Sequence, residues 1–256
     1  MSQNLNRKKL SIFNLKNLYV YGLIIIFLFS FFLIYNNKNF ILKILYDSVE
    51  SVSKNFQYQF TKFDINGLKR VKYDFINKNL EKHLNSSIFL LPLEKINNNL
   101  KENNWIKNIK LRTNYKDTLF IELEEYVPIG LYKFNNKLFY FDNNGKIIEK
   151  VQYNNDITKF ITFSGQSSNL KANLIIEILD NLNFKSEFKI NKIEYLENRR
   201  WDIYIDKNLK LMLSEISPKK SLINFINIKK NLSQIDMDNI KLIDLRNLNK
   251  TIITYY

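Results

Sequence analysis

His83 is the only histidine in the chain, and there is no cysteine. A zinc site needs several His or Cys ligands, and a hydrolytic triad needs a histidine beside a nucleophile. One histidine among Asn79, Glu81, Lys82 and Leu84 reads as a solvated or half-buried helix residue, not a general base. Glu122, Glu124 and Glu125 form the densest carboxylate cluster. Two of them fall on the outward face of an alternating strand, where pairing with Lys110 or Arg112 accounts for them. Asp202 and Asp206 are read as outward strand positions in the same way. Ser164-Gly165 lacks the pattern of a nucleophile elbow. Five glycines, one of them inside an apolar run, leave no phosphate-cradling loop. The expectation is a protein that is not an enzyme, with no metal, no cofactor and no small-molecule substrate.

Binding is better served. Thr251, Ile252, Ile253, Thr254, Tyr255 and Tyr256 combine high β-propensity with no charge. Such a strand either sits at a sheet edge, where unpaired backbone groups accept a partner's strand, or is covered within the molecule. The formal net charge of +14 would suit nucleic acid, anionic lipid or an acidic protein. It is spread along the chain, as on a Lys-rich solvated surface. The heavy use of Asn, Lys and Ile reflects composition bias, so runs such as Asn97-Asn98-Asn99 carry no functional weight.

What would position these groups begins with an apolar run. Leu18 to Tyr35 contains no charged residue. As a helix it rises about 27 Å, close to the roughly 30 Å of a bilayer core. Tyr19, Tyr21 and Tyr35 lie near its ends, where aromatic rings favour the interface. A cleaved signal peptide would have a shorter apolar core and small residues at its end, whereas Tyr35-Asn36-Asn37-Lys38 follows here. Arg7, Lys8, Lys9 and Lys16 precede the run, and no acidic residue appears before Asp47. The positive-inside rule then places residues 1–17 in the cytoplasm and residues 36–256 outside it, which removes nucleic acid as a partner. Phe40, Ile41, Ile44, Leu45, Val49 and Val52 recur at helical spacing, predicting an amphipathic stalk over 36–57.

Beyond the stalk, Phe60–Ile65 predicts a strand and Asn66-Gly67 a turn. Val71, Phe75, Ile76, Leu80 and Leu84 predict a helix, and Pro92 starts a second one with Leu93, Ile96 and Leu100. Ile109 and Leu111 alternate with Lys110 and Arg112, and Leu119, Ile121 and Leu123 alternate likewise after the turn Asn114–Asp117. The order β-α-α-β-β over residues 58–127 is that of a POTRA domain. In residues 128–256, Lys137–Phe141 and Lys146–Glu149 flank the hairpin signal Asp142-Asn143-Asn144-Gly145. Phe160–Phe163 predicts a strand, and Leu170–Leu182 a helix. Trp201–Ile205 and Leu209–Leu213 alternate around Lys207-Asn208. Ser217 is placed as the cap of a helix through Leu232. Ile243–Arg246 and Thr251–Tyr256 close the set. The fold class is therefore α+β: one N-terminal transmembrane helix, a POTRA domain and a C-terminal mixed β domain.

Several motifs together resemble the FtsQ/DivIB family of cell-division proteins. Residues 63–67, Phe-Asp-Ile-Asn-Gly, resemble the opening strand of its POTRA domain. Trp105-Ile106-Lys107-Asn108-Ile109 is similar to its Trp-Val segment. Leu119 to Pro128 resembles its strand ending in Glu-Arg-x-Pro, with Tyr126 in place of the Arg. Asp142–Gly145, Arg199-Arg200-Trp201-Asp202 and Ile243-Asp244-Leu245-Arg246 resemble its Asp-x-x-Gly, Arg-x-Trp and Asp-Leu-Arg segments. The resemblance implies a single-pass inner-membrane scaffold at the division septum. Its β domain would take a strand from FtsB, in complex with FtsL, along Thr251, Ile252, Ile253, Thr254 and Tyr255. Arg246 and Arg200 would lie near an acidic partner segment. The POTRA domain would recruit upstream proteins, with FtsK, FtsW and FtsI as further partners. The segment Asn247–Lys250 departs from the family in lacking a Gly-containing turn. A POTRA protein serving other periplasmic clients or peptidoglycan is the alternative. It sits less well with one module and no room for a typical outer-membrane barrel.

Overall fold

The computed structural model describes residues 15–152, 157–206 and 209–256, and their side chains except those of 15–18 and 234–236. The basic residues Arg7, Lys8 and Lys9 and the expected turn at Lys207-Asn208 lie outside the described residues. The chain forms two compact units that interleave in sequence. One holds residues up to 64 with 80–93 and 111–120; the other holds 65–79, 94–110 and 121–256.

The first long element is α1, Leu15–Asn36, followed at once by α2, Lys38–Asn55. The stretch Tyr19–Asn36 is long and apolar enough to cross a membrane, and none of it is buried inside the protein. The break at Asn37 is slight. Its amide donates to Leu33 and its carbonyl accepts from Ile41, both at 3.0 Å, so the helical ladder runs on. Near its end α2 is fastened by polar contacts. The Ser53 hydroxyl lies 2.6 Å from that of Ser87, and Glu50 accepts the Ser87 amide.

The POTRA region follows as β1 (Lys62–Asn66), α3 (Tyr73–Glu81), a single 3-10 turn (Ile88–Leu90), α4 (Leu93–Leu100), β2 (Ile106–Thr113) and β3 (Thr118–Glu125). The sheet order is β1-β3-β2. Helix α3 is shorter than its apolar spacing predicted, and His83 falls in the turn after it, half-buried. Leu119, Ile121 and Leu123 are buried along β3 as the alternation requires. Glu125 stands apart from the outward pair of the carboxylate cluster. It is buried and accepts the backbone amides of Lys69, Arg70 and Val71 at 2.8–3.1 Å. Glu124 pairs instead with Lys107, 2.6 Å away. A carboxylate that receives three amides fixes the chain entering α3, an N-terminal anchor built from a distant strand.

The C-terminal region is one nine-stranded sheet. Its strands are β4 (Gly130–Phe134), β5 (Lys137–Phe141), β6 (Ile147–Lys150), β7 (Thr162–Ser164), β8 (Ile190–Leu196), β9 (Arg200–Ile205), β10 (Leu209–Leu213), β11 (Ile240–Leu245) and β12 (Ile252–Tyr255). They lie in the order β12-β11-β10-β9-β8-β7-β4-β5-β6. Three pairs are parallel, β4 with β7, β7 with β8 and β10 with β11. Parallel neighbours need crossovers. Helices α5 (Ser168–Asn181) and α6 (Phe184–Glu187) bridge β7 to β8, and α7 (Pro218–Lys229) and α8 (Gln234–Asn239) bridge β10 to β11.

The core is a single cluster on one face of this sheet. Trp201, Ile203 and Ile205 of β9 and Leu209, Leu211 and Leu213 of β10 meet Ile175 and Leu179 of α5 and Leu222 and Phe225 of α7. Phe184, Phe188 and Phe225 stack among themselves with ring centroids 4.6–5.9 Å apart. Two expectations change here. Ser217 makes no side-chain capping bond to α7, which starts instead on Pro218 at its first turn. Asp202 is fully buried, not a solvated outward residue.

Two turns demand glycine. Gly67 and Gly165 have φ of +94° and +100°, and a Cβ at either would lie 2.0 Å from a backbone oxygen, that of Leu123 or Tyr195. Replacing either by alanine is expected to destabilise by at least about 1–3 kcal/mol, the usual cost of such backbone strain, before the clash is counted. Urea titration of G67A and G165A measures it. Glu125→Ala should cost a similar amount, because the buried Val71 amide loses its acceptor at roughly 1–3 kcal/mol and the part-buried Lys69 and Arg70 amides lose theirs at less.

Candidate functional site: an open sheet edge and the charged face beside it

The candidate site is the edge of the large sheet at β12. Its residues pair antiparallel with β11, Ile252 opposite Asp244, Ile253 opposite Ile243 and Thr254 opposite Leu242. The extra residue of the register shift falls on β11, between Ile240 and Leu242, so β12 itself runs unbroken. As the last strand in the sheet order, β12 has no strand on its outer side among the described residues. Ile253 turns to the core, whereas Ile252, Thr254 and Tyr255 are exposed. Thr251 precedes the strand and is half-buried.

The turn feeding β12 contains no glycine. Asn247 closes it, its side chain accepting from the Asn249 amide at 2.9 Å and its carbonyl from the Lys250 amide. Asn224 of α7 reaches over to the Leu248 carbonyl at 3.1 Å. Below it, the buried Ser221 hydroxyl accepts the Ser214 amide and donates to the Leu245 carbonyl, both at 2.9 Å. These bonds tie the ends of β10 and β11 to α7, so the approach to the edge strand is set by the helix layer.

On the face away from the core, the register lines up Glu194 (β8), Asp202 (β9), Met212 (β10), Asp244 (β11) and Ile252 (β12) in one row. The next row is Lys192, Tyr204, Lys210, Leu242 and Thr254. Acids in one row thus meet cations and a phenol in the other. Asp202 is contacted by Lys210 at 2.7 Å and by Arg200 at 3.2 Å. Glu194 accepts from the Tyr204 hydroxyl at 2.8 Å and lies 3.3 Å from Lys192. Arg246 grips Asp244 through Nε and a terminal nitrogen at 2.6–3.0 Å. The field of Arg200 also reaches Asp244, and that of Asp202 reaches Arg246. Arg200 and Arg246, distant in sequence, therefore belong to one charged lattice. Arg200 is largely covered, while half of the Arg246 side chain remains exposed. Beside it Asp244, Arg246, Asn247, Lys250 and Ile252 line an open groove of about 540 Å³.

Asp202, Asp244, Lys210 and Glu194 were not singled out as site residues from the sequence. The alternation in β9 and β10 puts Asp202 and Lys210 on one face, but only the cross-strand register brings them together. The segment 105–109 has a structural part to play. The Trp105 indole N–H donates to the Glu149 carboxylate, and the Arg70 guanidinium lies 4.6 and 4.9 Å from the Trp105 and Tyr140 ring centroids. Arg70 thereby occupies the aromatic surface that a ligand would need. Tyr126 lies under Lys146, whose ammonium is 4.1 Å from the ring centroid. No group of three His, Cys, Asp or Glu able to hold a metal exists among the described residues.

The lattice gives the protein an acid limit. The Arg246 side chain, helped by its own amide, holds the Asp244 carboxyl below its ordinary value despite partial burial. Burial pushes Glu194 up, but Tyr204, Lys192 and Lys210 outweigh it and leave it lowered. Depressed carboxylates contribute stability that is complete above their unfolded values, about 3.9 for Asp and 4.3 for Glu, and that is lost as pH falls through the folded values. Melting temperature should hold from neutrality to about pH 5 and fall below about pH 4, with the fall reduced in Asp244→Asn. Thermal melts across that range check it.

Comparison with known proteins agrees with this architecture. Residues 59–126 match the POTRA domain, FtsQ-type, and residues 130–246 match the C-terminal region of cell division protein FtsQ/DivIB. The second match ends at Arg246, so β12 lies beyond it. The chain is 31% identical over 198 residues to cell division protein FtsQ of Rickettsia conorii, covering 75% of this chain and 70% of that protein. It is 32% identical over 199 residues to the FtsQ of Rickettsia typhi, covering 75% and 71%. With the FtsQ of Bartonella bacilliformis identity is 25% over 167 residues, 65% of this chain and 53% of the relative. An apolar N-terminal helix, a three-stranded POTRA sheet and a mixed C-terminal sheet in that order, together with these matches, make the chain a member of the FtsQ/DivIB family of cell-division proteins.

Proposed function

We propose that this chain is a non-enzymatic scaffold of the divisome whose edge strand β12 takes up a strand from FtsB and so holds an FtsB–FtsL pair. Divisome scaffolding is the role that membership of the family carries. The strand-addition reading rests on one observation: β12 ends the sheet order, uncharged, with Ile252, Thr254 and Tyr255 exposed beside a groove lined by Arg246 and Lys250. Main-chain bonds along such an edge supply affinity, and neighbouring side chains supply selectivity. An acidic partner segment would lie over Arg246, which keeps an exposed donor edge while Asp244 fixes its plane. Arg200 would act from beneath, by holding the Asp202 charge in balance.

In this reading α1 spans the inner membrane, residues 1–17 are cytoplasmic, and the two folded regions work in the periplasm at the septum. The POTRA domain recruits upstream division proteins, with FtsK, FtsW and FtsI as further partners. The assembly controls when septal peptidoglycan synthesis proceeds. Confining several weak contacts to one membrane raises their effective concentration and hence their occupancy.

Deleting residues 252–256 should abolish capture of the FtsB homologue in pull-downs from membranes while leaving a cooperative melt. Capture at the parent level would rule out strand addition at β12. Arg246→Glu should weaken the same capture roughly tenfold, about 1.4 kcal/mol, with the loss shrinking at high salt. A topology reporter fused at Lys16 that reads outside the cytoplasm would contradict the orientation.

A further inference from the structure

Helix α2 carries an apolar stripe that the fold leaves bare. Leu42, Leu45, Val49 and Val52, with Phe56 at the cap just past its end, follow one another at spacings of three, four, three and four. Leu42, Leu45, Val52 and Phe56 are each more than half exposed, and Val49 more than a third. That spacing is the a/d seam of a coiled coil. The docking of α2 onto the POTRA region uses the flank next to this stripe, through Glu50 and the buried Ser53 on Ser87, and leaves the stripe itself uncovered.

We propose that this stripe pairs with the same stripe of a second copy of the chain, giving a parallel two-helix stalk next to the membrane. Three features select that occupant. The positions flanking the seam are Ile41, Ser48 and Asn55 on one side and Tyr46 and Ser53 on the other, all uncharged. No like-charge contact opposes self-pairing there, and none selects a different partner. The far face carries Lys43, Asp47, Glu50 and Lys54, two of each sign. A helix lying on an anionic bilayer carries a cationic polar face, so this one is not built for lipid. Finally, the helical ladder through Asn37 joins α2 to α1. Two copies anchored by α1 are parallel and at the same height, so their seams arrive in register. Phe40 and Ile44 fall off the stripe, in the turns next to α1, where apolar and aromatic side chains meet the bilayer interface.

Two heptads are fewer than the three to four that mark a free-standing coiled coil. The pairing therefore depends on the shared membrane, which supplies the effective concentration that a short seam lacks. It rests on α1 crossing the bilayer but not on any role for β12.

The chain has no cysteine, so single cysteines report cleanly. Full-length protein is reconstituted in phosphatidylcholine vesicles and oxidised with copper phenanthroline. Cysteine at Leu45, Val49 or Val52 should give a disulfide-linked dimer. Cysteine at Lys43, Asp47 or Lys54 should stay at background. Adding Leu45→Glu and Val52→Glu should remove the dimer formed through Val49→Cys while the thermal melt of the folded regions is kept. The proposal is overturned by equal cross-linking at all six positions, by no dimer at any, or by a dimer that survives the glutamates. Quenching of a stripe-attached fluorophore by brominated lipid would overturn it in favour of a bilayer-lying helix. Failure of the protein to float with vesicles in alkaline carbonate would remove the anchor and overturn it as well.

Discussion

An open β-sheet has two ends, and at each the backbone donors and acceptors of one strand face water or another chain. The nine-stranded sheet treats its two ends differently. At β6 the edge carries Glu149 and Lys150 and a shifted register against β5, features that discourage further pairing. At β12 the strand is uncharged and unbroken, and the extra residue is displaced onto β11. The two ends thus differ in charge and in regularity. The remaining features of the C-terminal region bear on holding that second end in place.

Two layers do so. On one face, the apolar sides of β9, β10 and β11 are buried under α5 and α7, and Ser221 and Asn224 of α7 fix the chain where it leaves β11. On the other face the buried Asp202 carboxylate is matched laterally, by side chains of the same sheet. Asp202 would be costly to bury alone, and Lys210 and Arg200 offset that cost. The same lattice extends through Asp244 to Arg246, at the lip of the groove beside β12. The electrostatics that stabilise the sheet and the half-exposed Arg246 side chain are thus parts of one arrangement. The POTRA region uses the same principle at smaller scale, where Glu125 anchors the entry to α3 through three amides.

Much of this was legible in residue order. The apolar run of α1, the hairpin β9–β10, the alternation of β3 and the uncharged segment that becomes β12 all follow period or composition. What escaped depends on contacts between distant residues. β4 was not foreseen, because Gly130 interrupts a short run. The structure explains the glycine: a Cβ there would lie 2.9–3.0 Å from the rings of Phe163 and Phe141. β8 was missed because Lys192 and Glu194 make it look solvated, yet Tyr204 and each other satisfy them. The cap expected of Ser217 failed because Pro218 already starts α7 without it. The sequence reads Asp202 as an outward acid and gives Glu125 no partner, since no local pattern tells a carboxylate matched by distant groups from one that faces water. Arg200 and Arg246 were picked out by resemblance alone, and the register that unites them is a property of the folded sheet.

A partner strand added to β12 would bond the outward amides of that strand. Amide hydrogen exchange on the full-length protein, with and without the FtsB homologue, tests it most directly. Strand addition at β12 should give new protection at residues 252–255 on binding, with the interior strands β9 and β10 unchanged. Binding that leaves 252–255 exchanging as in the free protein would contradict it.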